Sequence, residues 1–283
     1  MHSFGREGSE ILFVFSFIML FLIVYATMIE PYNLQVTKQR YTLINHTEQD
    51  QNPIKIVFIS DIHASNAGEE TVKKVVRLVN AQNPDIVLIG GDLVQGNNRE
   101  WELLKSLQNI SSKYGTYAVM GNHDYGLYVR DCRRDSVYTD RVELELERMN
   151  ISVLRNEYSD INIRGQRFAI VGVDDYWACR NNYQKAIEGL PQTISRIVLV
   201  HQQEAVENVD FGKNALVLAG HTHCGQVRLP IIGSIPKLLW FKGDVDMGWG
   251  KLQSGQDIYV SCGTNPGMIR FLARPEVSVI EIK

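Results

Sequence analysis

Cysteine is scarce in this chain of 283 residues, and the four present, Cys132, Cys179, Cys224 and Cys262, never form a C-x-x-C pair. That spacing offers neither a structural zinc knot nor a dithiol redox motif. The expectation is that the thiols stay reduced and that no disulfide framework exists. A surplus of basic residues is also missing: 29 Lys and Arg stand against 32 Asp and Glu, for a formal net charge of -3. No global positive field recruits nucleic acid, so none is expected as a partner.

Charge is absent altogether between Ile11 and Ile29. A run of that length is close to the ~20 apolar residues that span a bilayer, longer than a secretory h-region, and Ala26-Thr27-Met28 is a poor cleavage site. An uncleaved single-pass anchor over residues 1–30 is expected. Arg6 precedes the run, and Lys38 and Arg40 follow it; this bias puts the rest of the chain on the cytoplasmic side of the inner membrane. Residues 31–53 read as a linker containing a possible first strand, Leu34 to Ile44, then a polar loop with a lone Asn45-His46-Thr47 sequon.

From residue 54 to 283 the composition is that of a globular domain. Apolar runs at Ile54–Ser60, Ile86–Ile89 and Tyr117–Met120 alternate with two segments of helical periodicity. One of these carries Val72, Val75, Val76 and Val79, the other Leu103, Leu104, Leu107 and Ile110. Strand, helix, strand, helix, strand is the grammar of a parallel sheet. Further on, Val142–Met149 suits a helix. Ile161–Ile163 and Phe168–Val173 flank the turn Arg164-Gly165-Gln166 as a hairpin. Ile258–Ser261 and Val277–Ile282 are expected to finish a second, more antiparallel sheet. The fold class is therefore α/β, with two sheets.

Five of the seven histidines stand where apolar runs end. The motifs are Asp61-x-His63, Gly91-Asp92, Gly121-Asn122-His123-Asp124, His201 and Gly220-His221-Thr222-His223. Alternation along an extended backbone directs residues i and i+2 to one side, so His221 and His223 read as a pair of ligands. Ligands and substrates of open α/β sheets gather at the carboxyl ends of the strands. Two carboxylates, one amide and several imidazoles without a thiolate suit manganese, iron, cobalt or zinc and disfavour calcium; manganese is the expected ion. The donors are too many for one tetrahedral ion and fit two divalent ions sharing a carboxylate. His123 reads as a catalytic residue that is not a ligand, with Asp124 holding its ring in one tautomer.

These motifs together resemble the calcineurin-like metallophosphoesterase superfamily from about Ile54 to Ile282. The resemblance implies two packed mixed β-sheets with helices outside. It also implies Asp61, His63 and His223 around one ion, Asn122, His201 and His221 around the other, and Asp92 bridging them. The preceding apolar span resembles small bacterial membrane-associated phosphodiesterases, some of which hydrolyse UDP-2,3-diacylglucosamine in lipid A synthesis. Cys224, where those relatives usually have Gly, and Gln202-Gln203-Glu204 after His201 depart from their pattern beside the site. The expected function is a membrane-anchored phosphoesterase acting on a phosphorylated, lipid-linked small molecule. The alternatives are a generic phosphodiesterase, phosphomonoesterase or protein phosphatase, and a non-catalytic metal-binding scaffold.

Two segments stay open at this point. Arg130, Arg133 and Arg134 read either as solvated surface or as a phosphate clamp. Leu229–Trp249 is apolar but broken by Pro and Gly, and reads either as a packed loop or as a rim that touches acyl chains or the bilayer.

Overall fold

The computed structural model describes residues 3–43, 53–96, 100–134, 136–239, 243–266 and 269–283. The sequon loop, Trp240 and Phe241 lie outside them. Two six-stranded sheets pack face to face. The first runs in the order β1 (Gln35–Tyr41), β14 (Glu276–Ile282), β2 (Ile54–Ile59), β3 (Ile86–Ile89), β4 (Thr116–Ala118), β5 (Ile151–Val153). The second runs β12 (Gly248–Lys251), β13 (Asp257–Val260), β9 (Ala215–Ala219), β8 (Ser195–Leu199), β7 (Gln166–Gly172), β6 (Glu157–Ile163). A small hairpin, β10 (Arg228–Leu229) with β11 (Gly233–Ser234), stands apart.

The central strands are apolar at every position because both of their faces are buried. Ile56 and Phe58, with Leu88, Ile170, Leu199, Leu216 and Leu218, fill the layer between the sheets. Val57 and Ile59 point the other way, against helix α3 (Glu69–Ala81), whose Val72, Val75, Val76 and Val79 face the sheet as their spacing predicts. Val198 and Val217 face the outer side of the second sheet, with Tyr183 and Phe211. A one-residue slip of β2 or β9 would exchange these two cores, so burial on both sides fixes the register.

The first strand, the hairpin β6–β7 and the helix α4 (Val137–Arg148) appear where expected. Two readings are corrected. Val277–Ile282 lies in the first sheet, antiparallel to β2 and parallel to β1. Its apolar alternation shows that it is buried but not which sheet it joins. The second sheet is parallel at its centre and antiparallel only at its two flanks. The segment read as a second helix forms a 3-10 helix over Glu100–Asn109, which buries Leu104 and Leu107 as foreseen.

The N-terminal helix α1 (Ser3–Val24) continues through one π turn, Tyr25–Ile29, and a 3-10 turn carrying Pro31. From Gly8 to Tyr32 it is long and apolar enough to cross a membrane. From residue 8 to 20 its side chains are exposed, with Ile11 and Phe13 about 70% exposed. Contact begins only at its end. The Arg270 amide donates to the Ala26 carbonyl at 2.9 Å, the Ala273 amide donates to the Glu30 carboxylate at 2.6 Å, and Tyr25 meets Phe271 edge-on.

Candidate metal centre

Every site motif lies just past the carboxyl end of a strand: Asp61 and His63 after β2, Asp92 after β3, Asn122 and His123 after β4, His201 after β8, and His221 and His223 after β9. Since β2, β3 and β4 run parallel, and β8 and β9 likewise, each sheet delivers its residues to one edge. Strand alternation does not orient them. Asp61, His63, Asp92, His221 and His223 all adopt left-handed backbone, with φ of 53, 44, 54, 68 and 48°. Non-glycine residues occupy that region at a cost, and such strain concentrates at functional sites. Tight turns here fold the side chains back over the strand ends. Gly220 makes the approach possible, because a Cβ there would collide with Ser60 Oγ and Asp61 Oδ2.

The result is one buried cluster. His63 Nε2 lies 3.3 Å from His223 Nε2 and 3.6 Å from Asp92 Oδ2. His201 Nε2 lies 3.1 Å from Asp92 Oδ2 and 3.3 Å from His221 Nδ1. Asp61 Oδ1 lies 3.6 Å from His223 Nε2 and accepts the His221 amide at 3.1 Å. Three overlapping triplets keep their donor atoms within 4.8 Å of one another: Asp61, His63, His223; His63, Asp92, His123; and Asp92, His201, His221. The last two share Asp92. Asn122 is buried alongside, its Oδ1 accepting from Gln202 Nε2 at 3.1 Å.

Electrostatics mark the cluster as a cation site. Burial drives the imidazoles of His63 and His221 down to about 4 and about 3, and that of His223 well below its usual value. Burial also raises Asp61 to about 6. His201 goes the other way. Burial opposes its charge, yet the carboxylates of Asp92, Asp61 and Asp175 outweigh that and push it up to about 10. The carboxylates thus call for positive charge at this point. Divalent ions answer that call with the donors present. His201 commits Nδ1 to the Gly90 carbonyl at 2.7 Å, which leaves Nε2 as the ring atom that faces the cluster.

Two supporting residues were not singled out from sequence. The Gln95 amide lies 2.8 Å from His63 Nδ1 and Ser60 Oγ donates to Asp61 Oδ2 at 2.6 Å, while Gln202, which the sequence marks beside the site, donates to Asp175 Oδ2 at 2.6 Å as well as to Asn122. Gln95 follows no apolar run and Ser60 is not a ligand-type side chain, so no pattern exposes these two. Two expectations are corrected. Asp124 does not hold the His123 ring. It is fully buried, and its carboxylate accepts the backbone amides of Leu93, Val94 and Gly121, tying the β3 and β4 loops together. Among the described residues the His123 Nδ1 has no hydrogen-bond partner, and the ring lies edge-on to His63 and Tyr128.

The cysteines are the second correction. They form two disulfides, Cys132–Cys179 and Cys224–Cys262, across 47 and 38 residues. Local spacing could not reveal pairs that only the fold brings together. Cys224 directly follows His223, so its bond ties that loop to the segment after β13. The arginines are engaged as well: Arg134 donates to the Tyr125 carbonyl, Arg130 stacks over Tyr176, and Arg133 pairs with Asp131.

Comparison with known proteins agrees with this geometry. Residues 54–225 match the profile of the calcineurin-like phosphoesterases. The chain belongs to that family. Among relatives, an uncharacterized metallophosphoesterase of Aquifex aeolicus is 31% identical over 94% of this chain and 98% of its own. The uncharacterized metallophosphoesterase YkuE of Bacillus subtilis is 29% identical over 92% of this chain and 89% of its own. A zebrafish (Danio rerio) transmembrane protein with a metallophosphoesterase domain is 29% identical over 82% of this chain, which spans 54% of that protein. A solved dimetal phosphatase from Danio rerio superposes with a TM-score of 0.45 at 12% identity, over 76% of this chain and 89% of the other. Membership of that family makes the chain a metal-dependent phosphoester hydrolase, with the two mixed sheets described above.

Proposed function

We propose that this protein is a membrane-anchored dinuclear hydrolase that cleaves a phosphodiester or diphosphate bond in an amphiphilic substrate. The observation that carries the reading is the convergence from two sheets of Asp61, His63, Asp92, His201, His221 and His223, with Asn122 buried alongside and Asp92 within reach of both His63 and His201. Asp61, His63 and His223 would hold one ion, Asn122, His201 and His221 the other, and Asp92 both. When bound, such a pair supplies positive charge for the phosphoryl oxygens and an acidified water as nucleophile. His123 is not among these ligands. Its ring stands at the edge of the cluster with an uncommitted Nδ1, suited to stabilising charge on the phosphoryl group or to protonating the leaving oxygen. A cavity of about 440 Å³ opens beside the cluster, lined by Trp177, Glu204, His221, His223, Pro236 and Asp246 among others. With the cysteines paired, the donor set holds no free thiolate, which supports manganese, iron, zinc or cobalt bound through nitrogen and oxygen.

The disulfides favour a second point. Such bonds persist in oxidising compartments. Four paired cysteines outweigh a charge bias of one residue across the span, so the domain is assigned to the extracytoplasmic face rather than the cytoplasmic one. Nucleoside diphosphates are cytoplasmic compounds. That face therefore argues for a lipid phosphodiester or diphosphate without a nucleotide, and against UDP-2,3-diacylglucosamine. The purified chain with manganese is given bis-p-nitrophenyl phosphate, a phospholipid-borne p-nitrophenyl diester and UDP-2,3-diacylglucosamine. Turnover of the first two is expected. Turnover of the nucleotide lipid alone overturns the substrate class, and rates unmoved by a chelator overturn the metal centre. Protease digestion of intact spheroplasts checks the orientation: a protected domain refutes it.

A further inference from the structure

Apolar side chains on soluble surfaces are common singly, but a contiguous cluster marks a contact. One such cluster begins where the N-terminal helix meets the domain. Leu22, Ile23, Ala26 and Thr27 line an apolar groove with Val227, Ile269 and Phe271. Val227 pairs with Phe271 as an isolated bridge, and the chain then runs directly into the β10–β11 hairpin. The turn of that hairpin carries Ile231, fully exposed, and Ile232, 57% exposed. Ile231 also sits in left-handed backbone with φ of 71°. A β-branched residue is unfavourable there, and at an exposed turn Gly or Asn would fold better. The short helix α6 (Ile235–Leu239) follows, with Leu238 and Leu239 58% and 67% exposed. On the same helix Pro236 lines the cavity beside the metal cluster.

We infer that the hairpin turn at Ile231–Ile232 and the outer side of α6 form a second membrane contact, inserted into the bilayer interface beside the anchor. The occupant is the lipid surface, because the hairpin springs from Val227, which lines the groove against the end of a helix long and apolar enough to cross a membrane. Two attachments fix the tilt of the domain, whereas one helix leaves it free to swivel. The same contact sets the cavity wall at Pro236 against the interface, so that a headgroup phosphate reaches the cluster while its acyl chains stay in the bilayer. This substrate geometry rests on the phosphoesterase reading above; the contact itself does not.

The full chain is reconstituted, one copy per nanodisc, with phosphatidylcholine bearing a diazirine on its acyl chain. After illumination the crosslinked peptides are mapped by mass spectrometry. Crosslinks to residues 229–239 as well as to the anchor are expected, and Ile231→Glu with Ile232→Glu should reduce the former at least tenfold. Crosslinks confined to the anchor overturn the contact, as does an undiminished yield in the double variant. In activity, the same variant should lose about tenfold on a nanodisc-borne p-nitrophenyl phosphodiester while cleaving soluble bis-p-nitrophenyl phosphate at the parent rate. Equal losses on both esters overturn the proposed link between rim and substrate. If the parent cleaves neither ester yet still crosslinks at the rim, the phosphoesterase reading fails and the contact stands.

Discussion

The two sheets furnish the cluster by different means. On the first sheet, hydrogen bonds hold the donors from behind: Ser60 and the His221 amide on Asp61, Gln95 on His63, and the His123 amide on Asp92. On the second sheet, among the described residues, only His201 has a supporting bond from outside the cluster, and its acceptor is Gly90 of the first; the ring-nitrogen contacts of His221 and His223 run within the cluster. His221 lies edge-on to Trp177 at 4.9 Å, and the Nδ1 of His223 is buried without a hydrogen-bond partner among the described residues. The Cys224–Cys262 bond, one residue beyond His223, takes the place of a hydrogen bond. The carboxylate half is thus oriented by polar contacts, while the imidazole half relies on packing and a covalent tie. A ligand held by hydrogen bonds is tuned as well as placed; one held by a staple is only placed.

Asp92 belongs to both halves, touching His63, His201 and the His123 amide, and its loss should be the most severe. Asp92→Asn keeps the shape and removes the charge. Hydrolysis of bis-p-nitrophenyl phosphate is expected to fall by about 10³-fold or more, a barrier increase on the order of 4 kcal/mol. Metal content by mass spectrometry should fall to one ion or fewer per chain. Full occupancy in this variant would show that the halves bind independently.

The two disulfides give an internal control. They close loops of 47 and 38 residues, so chain entropy assigns each a similar stabilisation of about 3–4 kcal/mol. Cys132→Ser with Cys179→Ser, and Cys224→Ser with Cys262→Ser, should lower the unfolding free energy alike in denaturant titrations. Only the second pair should also weaken metal binding, since only it adjoins a ligand. Equal metal loss in both would mean that the staple acts through global stability and not through His223.

The same contrast explains what was legible in the sequence. Apolar runs announced the strands, because β2, β3, β8 and β9 are buried on both faces, and a His, Asp or Asn after each announced the cluster. The parallel order of the first sheet was legible from its helices, but the place of Val277–Ile282 was not, as a buried strand looks alike in either sheet. The disulfides and Gln95 were hidden for one reason: their partners are distant in sequence and carry no periodic signature. The role given to Asp124 failed because adjacency in sequence is not contact. In the turn after β4 its carboxylate points at backbone amides, where burial holds its pKa up near about 7 despite those bonds.

On the first sheet, graded changes should follow the number of bonds lost. Gln95→Ala removes the amide beside His63 Nδ1 and frees the ring, which should weaken metal binding about 10–100-fold by the scale of such supporting contacts. Isothermal titration of the apoprotein with manganese measures it. An unchanged affinity would place His63 with His223, as a ligand fixed without polar help.

Ser60→Ala should have the smallest effect. Asp61 keeps its bonds from the His221 amide, so the carboxylate stays oriented, and a neutral hydrogen bond contributes only about 1 kcal/mol net. Its effect should appear in pH dependence. Burial raises the Asp61 pKa to about 6, while the Ser60 hydroxyl stabilises the carboxylate and lowers it. Removing the hydroxyl withdraws stabilisation from the charged form, so the pKa rises further. Metal binding needs that carboxylate ionised. In the variant, half-saturation of the apoprotein should therefore require a higher pH, with affinity near that of the parent once Asp61 is fully ionised. A shift toward lower pH would mean that Ser60 opposes ionisation of Asp61, and a weakened affinity at every pH would mean that its hydroxyl is needed to place the ligand as well as to tune it.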